Sequence, residues 1–133
     1  MSISPSIADV IGVAEFRAAL RTFLRRSERI ARKAGLTPQR YVLLLMIKGS
    51  PSGNEQSTVT ELAQRLQLAQ STVTELVRRA EEVGLIEREQ SAADGRVAFL
   101  RLSPEGERRL NEAFTGLETE RRQFRESFSH LDE

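Results

Sequence analysis

Between Gln70 and Glu82 the polar residues come in two kinds, short hydroxyl and amide side chains first and guanidinium groups a turn later. Helical spacing would put Val73, Leu76, Val77, Ala80 and Val83 on one face and Ser71, Glu75, Arg78 and Glu82 opposite, flanked by Gln70, Thr72, Thr74 and Arg79. Short polar groups let the first turn of a helix approach base edges in a DNA major groove, where an Arg can fork onto guanine or meet a phosphate. The same distribution also fits the solvated face of a helical hairpin that binds nothing.

Other chemistries find no residues. There is no Gly-rich phosphate loop, no nucleophile beside a base and no carboxylate pair at a definable cleft, so an enzyme is not expected. The absence of Cys removes disulfides, thiol nucleophiles, thiol switches and thiolate zinc sites, and the single His, His130, reads as a bystander near the chain end. No metal or cofactor is therefore expected. With 20 Lys and Arg against 19 Asp and Glu, any anionic partner must be held by local clustering rather than by bulk charge. No basic stretch precedes the first apolar residues and no run of about 18 apolar residues occurs, so a leader or a membrane span is not expected and a cytoplasmic location is.

The elements that must position this face are marked by their start and stop signals. Ser57-Thr58-Val59-Thr60-Glu61-Leu62 recurs letter for letter at Ser71 to Leu76. In the first copy Thr58 and Glu61 have the spacing of a capping box, which predicts a short helix burying Leu62, Ala63 and Leu66 before a turn at Gln67 to Ala69. Gly84 stops the second helix. Upstream, Thr37-Pro38 starts a buried helix through Ile47, ended by the breaker-rich Gly49 to Asn54. Downstream, Leu85 to Glu89 and Val97 to Leu102 are strand-like, with Ser91 to Arg96 as a hairpin tip. A hairpin there places Arg96 beside the helix, within reach of a minor groove or a phosphate, and Asp94 is suited to orient it.

Both ends of the chain carry apolar stripes at alternating three- and four-residue spacing. The N-terminal arm has Val13, Phe16, Leu20, Phe23, Ser27, Ile30 and Ala34; the C-terminal arm has Leu110, Phe114, Leu117, Phe124, Phe128 and Leu131, interrupted by Arg121 and weakened at Gly116. From Phe16 to Arg40 eight basic residues face Glu28 alone, whereas from Ser103 onward five Arg face eight acids. Arms of this kind attract one another, within one chain or between two copies, and pairing between copies is expected. Arg121 is expected to meet a carboxylate or reach solvent.

These stretches resemble the MarR family of winged-helix transcription factors. The resemblance rests on LTPQRYVLL at Leu36 to Leu44, the helix-turn-helix from Thr58 to Arg88, DGR at Asp94 to Arg96 and LRLSPEG at Leu100 to Gly106. It implies a mainly α fold with a small β-hairpin wing: an N-terminal dimerisation helix (1–35), a winged helix-turn-helix lobe (36–102) and one or two C-terminal dimerisation helices (103–133). It further implies a homodimer on a pseudopalindromic double-stranded DNA operator, most often a repressor released by a small aromatic ligand bound between arms and lobe. Gln70, Ser71, Thr72, Thr74 and Arg78 fall on the recognition helix, joined by Glu75 and Arg79 on its surface. Arg88 follows the GLIER stretch, and Asp94 and Arg96 sit on the wing. The dimer seam would use Phe16, Leu20, Phe23, Leu110, Phe114, Leu117, Phe124, Phe128 and Leu131. Ala69 stands where a capping Ser, Asp or Asn is common, which leaves Gln70 or Ser71 to cap that helix. A winged-helix module that binds protein instead of DNA is the alternative, and such modules can lose the cations that here remain as Arg78, Arg79, Arg88 and Arg96.

Overall fold

The structure is a computed structural model and describes residues 4–128. Helix α1 (Ile7–Lys33) starts at Ser6, whose hydroxyl accepts from Asp9 N, and ends at Gly35, where φ is +81°. Helix α2 (Pro38–Lys48) opens on Pro38 behind the Thr37 cap and buries Tyr41, Leu43, Leu44 and Ile47. Helices α3 (Val59–Leu66) and α4 (Gln70–Glu82) follow, then the antiparallel strands β1 (Ile86–Gln90) and β2 (Ala98–Leu102). Helices α5 (Pro104–Gly116) and α6 (Glu118–Phe128) complete the chain. The architecture is mainly α with a β-hairpin wing, as expected.

The repeated hexapeptide performs two different jobs. In the first copy Thr58 Oγ1 accepts from Glu61 N and Glu61 Oε1 accepts from Thr58 N, the complete capping box, and α3 begins at Val59. In the second copy the helix has already begun at Gln70, so Thr72 and Glu75 lie inside it. The cap position of α4 is Ala69, and no side chain caps it; Gln70 instead donates to Thr60 Oγ1 at 3.3 Å, which corrects the expectation that Gln70 or Ser71 would cap. The turn between α3 and α4 is made by Gln67 in the left-handed region, with φ at 58°.

The core lies where α2, α3, α4 and the hairpin meet, filled by Leu36, Leu44, Ile47, Leu62, Val73, Val77, Leu85 and Leu100. Val83, expected on the inward stripe of α4, is 47% exposed because the helix ends at Glu82 and the chain turns away. Ser57 pairs through both backbone groups with Leu100, which ties the start of α3 to the middle of β2. Ala31 of α1 and Leu110 and Leu117 beside α6 join the same core.

The C-terminal arm breaks after Gly116, so it forms two helices, and Gly116 approaches so closely that an added Cβ would sit 2.9 Å from Ile30 Cγ2. The arms meet within one chain: Phe124 stacks on Phe23 at 4.8 Å between ring centroids and lies 5.9 Å from Phe16. Leu110 and Leu117, assigned from sequence to a seam between copies, are 3% and 1% exposed, because α5 turns that edge toward the lobe. They are therefore removed from the seam. Phe114 is half exposed under the guanidinium of Arg121, 3.7 Å above its ring, and Arg121 also donates to the Phe114 carbonyl. Arg121 thus meets an aromatic face rather than the expected carboxylate or open solvent. Phe128 is the last residue of α6; Leu131 and His130 lie outside the described residues.

Candidate nucleic-acid interface

Helix α4 turns Val73, Val77 and Ala80 fully inward, and this sets its opposite face outward. Gln70, Ser71, Thr72 and Thr74 are exposed on its first turns, with only Gln70 in a side-chain hydrogen bond. The wing stands beyond the end of α4. Arg88 on β1 donates to Glu81 of α4 at 2.6 Å, which raises the Arg88 pKa and straps the hairpin to the helix. At the hairpin tip Asp94 Oδ1 accepts from the Arg96 backbone N at 3.0 Å and from its Nε at 3.3 Å, while the Arg96 side chain remains 92% exposed. Asp94 thus orients an otherwise solvated cation. An exposed pair of this kind contributes only about 0 to 1 kcal/mol of stability.

The arginines of α4 are held differently from their reading in the sequence. Arg78 donates from Nε and Nη2 to the two oxygens of Glu75, at 2.9 and 2.5 Å, and from Nη1 to Glu82. Arg79 donates to the same Glu75 at 3.0 Å. Hydrogen bonds from Arg78 and then Arg79 hold the Glu75 carboxyl down at about 2, and Glu75 in turn raises the Arg78 pKa. The helix carries Glu75, Glu81 and Glu82 against two guanidiniums, so its outer face is one charge negative overall. The i, i+3 and i, i+4 spacings in the sequence permit these pairs, while its polar pattern alone specifies only an exposed face.

Among the described residues no cluster of His, Cys, Asp or Glu could hold a metal ion, and no helix is long and apolar enough to cross a membrane. Tyr41 is buried, which raises its pKa, and it lines an apolar cavity of about 160 Å³ between α1 and α2 together with Phe23, Leu24, Ser27, Ala31 and Leu45.

Residues 34–97 match a family model described as MarR family. No curated protein matches the chain in sequence. Several solved structures share the fold. A MarR family transcriptional regulator from Streptomyces coelicolor, Sco3205, solved in complex with DNA, is 25% identical over 93% of this chain and 77% of its own, with a TM-score of 0.71. AbsC, a MarR family transcriptional regulator from the same organism, is 19% identical over 98% and 91%, with a TM-score of 0.75. The transcriptional regulator Tm0710 from Thermotoga maritima is 28% identical over 86% and 78%, with a TM-score of 0.59. The helix-turn-helix and wing, residues 34–97, match the MarR family, and nearly the whole chain shares the fold of MarR family structures.

Proposed function

We propose that the chain is a sequence-specific regulator of transcription that binds double-stranded DNA through α4 and the wing. The observation that carries this reading is the pairing of an exposed hydroxyl and amide turn on α4 with a cation, Arg96, standing clear of the protein on the adjacent hairpin. Such an arrangement suits a helix in the major groove and a wing on the neighbouring backbone or minor groove. Sco3205, solved with DNA, supports it by similarity. In this reading Gln70, Ser71, Thr72, Thr74, Glu75, Arg78 and Arg79 face base edges and Arg88, Asp94 and Arg96 set or make the flanking contacts.

The regulator acts as a cytoplasmic homodimer, with 1–35 and 103–133 as its dimerisation arms and 36–102 as its reading lobe. Exposed Ile7, Val10, Ile11, Val13 and Leu24 on α1 supply apolar surface for a second copy, beside Phe16, Leu20 and Phe23. It is a repressor, released when a small aromatic ligand enters the apolar cavity around Tyr41, between arm and lobe.

Selection of bound duplexes from random DNA, with the footprint recorded, tests the reading. A pseudopalindromic site with half-sites about 34 to 36 Å apart is expected. Replacement of Arg78 by Ala should alter preference at particular base pairs. Equal binding to every duplex would reject operator reading and favour the protein-binding alternative.

A further inference from the structure

The carboxylates around Arg78 are a poor choice for a surface whose only task is to attract DNA. On α1, Arg25, Arg29, Arg32 and Lys33 are exposed and make no salt bridge among the described residues, so the pairing on α4 is not a general consequence of the composition. Of the five N–H protons of Arg78, Glu75 takes two and Glu82 one. One proton remains on each terminal nitrogen, the number that guanine O6 and N7 can accept together.

We propose, resting on the reading of α4 as the DNA-contacting helix, that Glu75 is a positioning residue that braces Arg78 for its base contact. Glu82 is an added negative charge at the same guanidinium that makes duplexes lacking that contact bind poorly. Glu75 grips the guanidinium at two points and fixes its plane relative to the helix. Glu82 holds it through one bond from a side chain that is 59% exposed. When α4 enters a groove, both carboxylates approach phosphates of like charge, a cost incurred on every sequence. Only a duplex with the matching base offsets that cost with a new bidentate contact, so the acids widen the gap between right and wrong sites. Because the Arg78 and Arg79 hydrogen bonds keep Glu75 ionised down to about 2, the brace persists throughout the neutral range.

The test uses the full chain and two duplexes of equal length, one recovered by selection and one with its sequence shuffled, with binding followed by fluorescence anisotropy over a salt series. Glu82→Gln should tighten binding to the shuffled duplex about tenfold and steepen its salt dependence, while the selected site gains less. Glu75→Gln should reduce preference about tenfold at the base pair Arg78 reads and leave the other positions alone. In an Arg78→Ala background the same Glu75→Gln change should do nothing there, a result that a merely structural role would not give. Should Glu75→Gln fail to fold, Glu75→Asp, too short to span both edges, reads the same quantity. Shuffled-duplex affinity within twofold of the parent for Glu82→Gln, or unchanged base preference for the Glu75 variants, overturns the proposal while leaving operator reading intact. Failure of the unmodified chain to select any sequence overturns both.

Discussion

Replacing Gly106 with Ala should destabilise the chain far more than either of two other Gly-to-Ala changes nearby. A Cβ added at Gly106 would lie 2.2 Å from the Leu85 carbonyl oxygen and 3.1 Å from its carbon, both backbone atoms. That backbone is fixed on two sides, since Leu85 N donates to Ala80 O at 2.9 Å and Leu85 O accepts from Ser103 N at 3.0 Å. Relief therefore requires α5 to move by about an ångström, which breaks the Ser103 N bond and the Ser103 hydroxyl bond to the Gly84 carbonyl. Two hydrogen bonds at about 1 kcal/mol each, plus about 1 to 3 kcal/mol of overpacking and less up to about 1 kcal/mol of helix propensity gained, leave a loss of about 3 kcal/mol. For a chain of this length the midpoint of thermal unfolding should fall by about 10 °C. Gly84, with φ at +76° but open space around it, should cost about 1 to 2 kcal/mol as Ala, from backbone strain alone. Gly95 has neither restriction and should change by less than about 0.5 kcal/mol. Thermal melts followed by circular dichroism rank the three; a Gly106→Ala midpoint within about 2 °C of the parent, or above that of Gly84→Ala, refutes the reasoning.

Replacing Arg96 with Ala should weaken binding across many sequences with little change in preference, and make the salt dependence shallower by about one charge per subunit, read from affinities at several salt concentrations. Phe124→Asp should place a carboxylate against Phe23 and Phe16 and release α6, with a loss of helical signal near that of 11 residues and, by sedimentation, a loss of the proposed dimer. Thr58→Ala should remove half of the capping box and cost about 1 kcal/mol in a denaturant titration. Glu105 is held at about 2 by hydrogen bonds from Arg108 and then Arg109, below its ordinary 4.5, so what it contributes is present above about 4.5 and lost as pH falls toward 2. Melts of Glu105→Gln and the parent should therefore differ at neutral pH and converge near pH 2; an undiminished gap there would refute the assignment.

The signals that were legible in the sequence are those completed within a few residues. Thr58 with Glu61, Pro38 behind Thr37, and Gly35 and Gly84 at helix ends each do locally what their types predict. The identical hexapeptide at Ser71 shows the limit: with α4 already begun at Gln70, the same letters lose their capping role and Glu75 turns to Arg78 and Arg79. Gln67 makes its turn at a positive φ without being Gly or Asn, so composition gave no warning. Which partner an apolar stripe meets is a long-range matter, and spacing could not tell that Leu110 and Leu117 enter the lobe core while Phe124 meets α1. Which side chains α4 and the wing would expose could be read from pattern, but the closure of Arg78 by two carboxylates depends on rotamers that only the folded helix specifies.

Ser103 joins the end of α4 to the start of the C-terminal arm at one residue. Its hydroxyl donates to the Gly84 carbonyl and accepts from Gly106 N, and its own N–H donates to Leu85. Mechanically, α4 and α5 are then two limbs of one lever with its fulcrum at that serine. The 13 residues of α5 extend about 20 Å, so a tilt of about 10° at the fulcrum displaces its far end by about 3.5 Å, close to the rise of one base pair. In the proposed two-fold pair, a tilt of that size would shift the arms relative to α4 by about one base-pair rise, and it would have to draw Leu110 and Leu117 out of the lobe core.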